Sequence, residues 1–219
     1  SYHVVASLSN QNYDASDADG TLMIAKASQT ITFASLPSKM FGDPAFDVAA
    51  SASSGLPVLF SAAGSCTVAA ATVTITAGGL CTITASQAGN VNYQTAPDVS
   101  KAFGVTYPWS DVLQPINVDG TSIFKLGSTV PVKFQLTGGS AGITNLAAKI
   151  YVAQVSNGVT GTEVEAVSTS AADSGNTFRW SGGQYIFNLN TKTLGQGTWQ
   201  IRIDLLDGAV HTGMISLMK

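Results

Sequence analysis

The sequence predicts an all-β chain: two antiparallel β-sandwiches in tandem, preceded by a hairpin left from an incomplete repeat. Three observations carry that prediction. Apolar and polar residues alternate with period two over short runs bounded by Gly, Pro and Asn, which is the signature of half-buried strands. The chain repeats one of those runs. The 22 glycines, with abundant Ser, Thr and Ala, suit many short strands and turns, although alanine weighs the other way as the best helix former. At 219 residues the chain is long enough for one large β domain or two of ordinary size, each with a real core.

The repeat is read first, because it sets the domain organisation. Cys81-Thr-Ile-Thr-Ala-Ser-Gln-Ala-Gly-Asn-Val-Asn-Tyr93 is a strand with Cys81, Ile83 and Ala85 inward, followed by an Asn/Gly turn. Tyr2-His-Val-Val-Ala-Ser-Leu-Ser-Asn-Gln-Asn-Tyr13 echoes it. Val4 matches Ile83, Ala6 matches Ala85, and Asn12-Tyr13 matches Asn92-Tyr93 with one inserted residue. A second strand follows each copy, through Leu22 and Ile24 in the first and Phe103 and Val105 in the second. Residues 1–27 therefore read as the closing hairpin of an incomplete repeat, 28–106 as a complete one, and 107–219 as a different domain. An isolated hairpin is at best marginally stable in water. With Val4, Ala6, Leu22 and Ile24 inward, this one is expected to complete a sandwich with a neighbouring chain or another repeat. The competing reading is that the missing strands belong to the same natural chain.

The loop of residues 14–20 resembles a calcium loop, with Asp17, Asp19 and Gly20 at its third, fifth and sixth positions. Ala15 then falls at the first position, and Lys26 at the twelfth, where a bidentate Glu is needed. A hairpin loop ending in Asp-Gly is the simpler reading. In the complete repeat, Gln29-Thr-Ile-Thr-Phe33, Phe46-Asp-Val-Ala-Ala-Ser-Ala52 and Val58-Leu-Phe-Ser61 read as strands, with turn-rich stretches between them. The cysteine strands and residues 99–105 follow. Thr106-Tyr-Pro-Trp-Ser110 reads as a semi-rigid junction, in which Tyr107 and Trp109 help fix the angle between domains.

Beyond it, Val130, Val132, Phe134 and Leu136 point inward from a run whose Pro131 argues for an edge strand. Residues 148–155 form another strand. A Gly-Gly turn precedes Tyr185-Ile-Phe-Asn-Leu189. Trp199, Ile201, Ile203 and Leu205 alternate with Gln200, Arg202 and Asp204, and Asp207-Gly208 turns the chain into a last strand. About seven strands in this half suit an antiparallel sandwich.

Cys66 and Cys81 each open a strand pattern, so they can sit on paired or neighbouring strands facing one way. A bond closing a loop of about fifteen residues stabilises by roughly 3 kcal/mol in the chain-entropy model. It also points to an oxidising compartment. Two buried thiols are the alternative; a zinc site is poorer still without histidines nearby. The net charge of −3 and the lack of a Lys/Arg stripe exclude nucleic acid and anionic membranes as obvious partners. No apolar run approaches a membrane span. No signal peptide is visible, and the sequence is read as a mature product or an excised fragment.

Gln29-Thr-Ile-Thr-Phe33, Phe41-Gly-Asp-Pro44, Ser54-Gly-Leu-Pro-Val58 and residues 79–93 together resemble the bacterial Ig-like surface repeats of MBG type. Residues 1–27 resemble the end of another such repeat, with Tyr2 at the Cys81 position. The second half resembles the bacterial PxKF domain, also Ig-like. Lys125-Leu-Gly-Ser-Thr-Val-Pro-Val-Lys-Phe134 and Leu205-Leu-Asp-Gly-Ala-Val-His-Thr212 carry that resemblance. Cysteines common in the middle of that family are missing here. The resemblances imply tandem Ig-like sandwiches in a large secreted or cell-surface bacterial protein, and they supply no active site or cofactor.

Candidate chemistry is sparse. His3 and His211 lie in strand patterns with no ligand-spaced neighbours and read as structural or surface residues. Glu163 and Glu165 share a strand face; a solvated face is a simpler reading than a glycosidase pair. No Gly-x-Ser-x-Gly elbow occurs. Lys133 invites comparison with isopeptide-forming lysines, but it reads outward without an acid partner and suits edge protection. Arg179, Trp180 and Tyr185 surround one turn and form a candidate sugar platform, weighed against ordinary packing. Three functions remain open: a non-catalytic structural or adhesive module, a carbohydrate- or receptor-binding module, or an accessory domain of a secreted enzyme.

Overall fold

A computed structural model describes residues 2–9, 11–13, 16 and 18–219. It gathers into two compact units: Ser1–Phe33 with Ala50–Leu59 and Ala85–Val99, and Ala34–Ala49 with Phe60–Thr84 and Ser100–Lys219. The first strands are β1 (Tyr2–Ala6), β2 (Ala18–Leu22), β3 (Ile31–Phe33), β4 (Lys39–Met40), β5 (Phe46–Asp47) and β6 (Ala50–Ala52). Next come β7 (Leu59–Gly64), β8 (Cys66–Ala69), β9 (Thr72–Ile75), β10 (Gly79–Ser86) and β11 (Val99–Thr106).

In the first unit, β1 and β2 form a two-stranded antiparallel ribbon, and β3 pairs with β6. Ile31, Phe33 and Ala52 are buried there, while Thr32 faces out, as period-two alternation requires. Gln29 is only 4% exposed although the sequence reads it as an ordinary strand opener. Its Nε2 donates to the Gln94 carbonyl at 2.6 Å and to Gln87 Oε1 at 3.1 Å. Its Oε1 accepts from the Ser54 hydroxyl. A buried amide costs free energy unless its donors and acceptors are satisfied, so Ser54, Gln87 and Gln94 are fixed by Gln29.

In the second unit, the sheet β4–β11–β10–β7 faces the sheet β5–β9–β8. Cys66 on β8 and Cys81 on β10 form a disulfide, with Cα atoms 5.5 Å apart. The bond crosses between opposed sheets, and so differs from the paired or neighbouring strands expected. Both sulfurs sit in the core because Cys81, Ile83, Phe103 and Val105 point inward against Val73. Phe46 meets Phe103 edge-on across the same gap at 5.7 Å. The predicted strand over 46–52 breaks in two, because Val48 turns inward and its N–H bonds to the Ala71 carbonyl.

The remaining strands are β12 (Ile123–Lys125), β13 (Thr129–Phe134), β14 (Lys149–Ser156), β15 (Val159–Thr160) and β16 (Val164–Glu165). After them come β17 (Arg179–Ser181), β18 (Gln184–Asn190), β19 (Gly197–Asp204) and β20 (His211–Met218). The larger sheet runs β12–β20–β19–β14–β15, with β16 also on β14; the smaller runs β13–β18–β17. Two edge pairs, β4 with β11 and β12 with β20, are parallel. Pro131 lies on β13 at the edge of its sheet, where its missing N–H removes no ladder bond. Val130, Val132 and Phe134 are fully buried and Leu136 nearly so. Phe134 is the centre of this core: it stacks on Tyr185 at 4.9 Å, and Phe178 meets it edge-on at 5.0 Å. Gly182 and Gly183 both have positive φ, and so do Asn157 and Gly158; these are the tight two-residue turns of the β17–β18 and β14–β15 hairpins.

Replacing both Cys66 and Cys81 by alanine is expected to lower unfolding free energy by about 3 kcal/mol, read by urea denaturation. A change below about 0.5 kcal/mol, the range of a neutral surface substitution, would show that the bond adds nothing. Phe134→Ala is expected to cost about 3–5 kcal/mol by the same measurement.

Candidate interaction surfaces

The structure keeps Trp180 and Tyr185 together but leaves little of the sugar-platform residues open to a ligand. Tyr185 is 1% exposed, and its hydroxyl donates to the Ile143 carbonyl at 2.9 Å and accepts from Leu146 N at 3.0 Å. Its ring is core, held edge-on against Trp180 at 5.0 Å. The Arg179 guanidinium is bound to Asp173, whose side chain is fully buried and also accepts from Ser168 and from Asn188 N. Only Trp180 presents an exposed ring face, so three residues do not form a stacking surface. Trp180 and Tyr185 stand opposite each other in the β17–β18 ladder, while Arg179, next to Trp180 on β17, pairs with Ile186 and points to the other face.

A different aromatic borders open space. Trp199 is half-buried, and Gln154, Val159, Thr162 and Val164 form an apolar groove with it beside β14. Nearby, Glu163 is not a free carboxylate. Arg202 Nε contacts both its oxygens, at 2.8 and 2.9 Å, while the Arg202 guanidinium lies 4.3 Å from the Tyr151 ring centroid. Lys133 stands opposite Ile186 in the β13–β18 ladder.

His211 is buried, and its Nε2 lies 3.2 Å from Asp207 Oδ1. Asp207, which the sequence marks only as a turn residue, is the acceptor for three groups. Besides His211 it accepts from Ala209 N at 3.0 Å and from Tyr107 N at 2.9 Å. Burial pushes the Asp207 carboxyl up. The bonds from His211, Tyr107 N and Ala209 N, together with the His211 charge, outweigh this and hold it below the usual carboxylate range. Trp109 caps the assembly, its ring edge-on to His211 at 4.7 Å. Tyr107 is buried in turn: its ring packs on Phe41 at 5.4 Å and against Gly78, where a Cβ would lie 2.4 Å from it. Beside it, Gly42 has φ of +98°, and a Cβ on Gly139 would come within 2.4 Å of the Gly42 Cα. Two backbones therefore touch where any larger residue would push them apart.

The β1–β2 ribbon has the opposite character. Val4, Leu22 and Ile24 are 51%, 53% and 70% exposed, and Ala6 is exposed too. Among the described residues nothing buries the expected inward face. His3 Nε2 lies 3.3 Å from Asp19 in water. At the ribbon's root, Ala27 forms a parallel bridge with Tyr93. The calcium-loop reading needs Asp14, Ala15 and Asp17, which lie outside the described residues. Among the described residues no cluster of three or more metal-ligating side chains forms, and no helix is long and apolar enough to cross a membrane.

These sheets and cores define a protein of the Ig-like β-sandwich class. No protein-family model matches the chain, and no curated protein matches it. Among solved structures it is similar to extracellular domains 3–5 of Drosophila OTK, at 13% identity and a TM-score of 0.34, covering 87% of this chain and 61% of that one. It is similar to the N-terminal eight Ig domains of Down Syndrome Cell Adhesion Molecule at 16% identity and a TM-score of 0.30, covering 95% and 27%. A third similar structure holds three N-terminal domains of the bacteriophage RB49 highly immunogenic outer capsid protein, at 11% identity and a TM-score of 0.30, covering 87% and 69%. The chain thus spans less than two thirds of the length of the first two.

Asp207 titrates at a lower pH folded than unfolded, so its stabilisation is present above the ordinary aspartate value near 3.9 and is lost as pH falls through the folded value. Asp207→Asn is expected to reduce stability at pH 7 by about 1.5–3 kcal/mol and to flatten the loss between pH 4 and 2. Urea midpoints at both ends of that range decide it: parallel pH profiles for wild type and variant would refute the assignment.

Proposed function

We propose that the chain is a non-catalytic structural or adhesive segment of a large secreted or cell-surface bacterial protein, a stalk, spacer or filament piece. The observation that carries this reading is the junction at Tyr107. Its ring and backbone are held from both sides, by Phe41 and Gly78 and by Asp207. The residues before it continue β11, and those after it enter the core built on Phe134. A junction packed in this way transmits force and orientation, whereas an unpacked tether of a few residues does not. On this reading 28–106 and 107–219 are successive modules, and 1–27 closes an earlier one.

Two further supports are independent of the junction. The Cys66–Cys81 bond suits an oxidising compartment, hence an extracellular or surface location. The resemblance of the first half to MBG-type repeats and of the second half to the PxKF domain implies a bacterial surface protein. The expected partners are neighbouring chains or other Ig-like repeats. A carbohydrate- or receptor-binding role is the second reading, and the groove at Trp199 favours it over the Arg179, Trp180 and Tyr185 platform. An accessory role beside a catalytic domain is the third.

Spin labels on Thr67 and Thr212, both exposed, test the junction by double electron–electron resonance. One narrow distance distribution is expected, and Tyr107→Ala is expected to broaden it at least about twofold by removing the ring that fills the joint. A broad distribution in the wild type would reject the rigid spacer. Glycan-array binding that Trp199→Ala abolishes would instead favour the carbohydrate reading.

A further inference from the structure

The two copies of the repeat have the same strand register, and only one of them is covered. In the ribbon, Val5 stands opposite Asp19. Carrying Val4 to Ile83 and Leu22 to Phe103 takes that pair to Thr84 and Ser100. These two residues do face each other, with their hydroxyls 2.8 Å apart on the neighbouring strands β10 and β11. The burial of the two copies then differs completely. Ile83, Ala85 and Val105 are fully buried and Phe103 is 3% exposed. Their counterparts Val4, Ala6, Ile24 and Leu22 are all exposed.

What covers the second copy is visible. β4 lies beside β11, β7 lies beside β10, and β5–β9–β8 faces both, tied on by the Cys66–Cys81 bond. We infer that β1–β2 is the closing hairpin of a sandwich whose other strands are equivalents of β3 to β9, carried ahead of Tyr2 on the same polypeptide. The surface offered by Val4, Ala6, Leu22 and Ile24 is the inner face of that sandwich. This rests on the register match and on the reading of the chain as successive repeats, which the labels on Thr67 and Thr212 test separately. It chooses the preceding strands over a neighbouring copy for a physical reason. A second copy has its β10–β11 hairpin locked in place by its own disulfide, and the uncovered sheet it does offer is its own β1–β2 ribbon, two strands where the covered copy is enclosed by β4, β7 and β5–β9–β8.

The test supplies those strands from the chain itself. Residues 28–80 are duplicated in front of Tyr2, so that the ribbon follows them as β10 follows residue 80. Tyr2 occupies the Cys81 position. Tyr2→Cys in the duplicated chain should therefore bond to the added copy of Cys66 on oxidative refolding, read by peptide mapping and mass spectrometry. His3→Cys, one residue along and on the opposite strand face, should not. A yield at position 2 at least about tenfold above that at position 3 is expected. In the duplicated chain with Tyr2 restored and the unpaired added cysteine replaced by alanine, ribbon amides should gain at least about 10³-fold protection from hydrogen exchange, because opening them then requires the sandwich to unfold. Equal bonding at positions 2 and 3, unprotected ribbon amides in the duplicated chain, or ribbon protection in the original chain through dimerisation would each overturn the inference.

Discussion

A β-sheet with one apolar face has to cover that face, and the architecture follows from how each sheet here does so. In the core around Phe134, three aromatic rings and the alternating Val130, Val132, Ile201 and Ile203 fill the gap between two sheets. In the other sandwich of the same unit the filling is thinner. Its inner residues are smaller, and Phe46 and Phe103 supply one aromatic contact across the gap. The Cys66–Cys81 bond lies in that thinner layer, where chain entropy is opposed by less buried apolar surface. The covalent link and the aromatic core are two answers to one constraint.

The junction follows from the same accounting of buried polar groups. Once Tyr107 enters a packed position, its N–H can no longer reach water and needs an acceptor. Asp207 supplies it from a turn 100 residues further along. A buried carboxylate needs several donors of its own, and Ala209 N and His211 complete the set. Trp109 then covers the imidazole. Removing the Asp207 carboxylate takes the acceptor from Tyr107 N, Ala209 N and His211 together, so the turn, the linker and the start of β20 are one unit energetically.

Much of this was legible in the sequence. Period-two alternation located β13, β14, β18 and β19 to within a residue or two, because a strand with one buried face has no other pattern available. Pro131 announced an edge, and the Gly182-Gly183 turn was plain. The failures share a cause. Gln29 and Asp207 are polar residues whose burial depends on partners far away in the chain, Gln94 and Tyr107, and alternation carries no information about a partner's distance; Asp173 is held by the nearer Ser168, Arg179 and Asn188, in a loop where no alternation runs. Arg179 and Tyr185 looked available for a ligand on the same grounds, since the sequence could not show Asp173, Ile143 and Leu146 closing around them. The disulfide pairing was readable from two cysteines; its crossing between opposed sheets depended on which strands pair, which spacing leaves open.

The internal repeat holds more information than either copy does alone. A lone exposed hairpin with Val4 and Leu22 on one face can be a frayed end, a ligand site or half of an interface. On the inference drawn above the second copy narrows that freedom, because the same spacing in the same register is there enclosed by named strands. One difference between the copies fits this account. Cys81 is replaced by Tyr2, so a sandwich closed by the first copy has no sulfur at that position and its inter-sheet gap is bridged differently. A tyrosine has the bulk to fill part of that gap by burial, in place of a covalent link. The second copy uses the bond and has a small residue at the position; the first has a large aromatic and no bond. If the inferred sandwich closes over Tyr2, which is exposed here, both choices address the same thin filling.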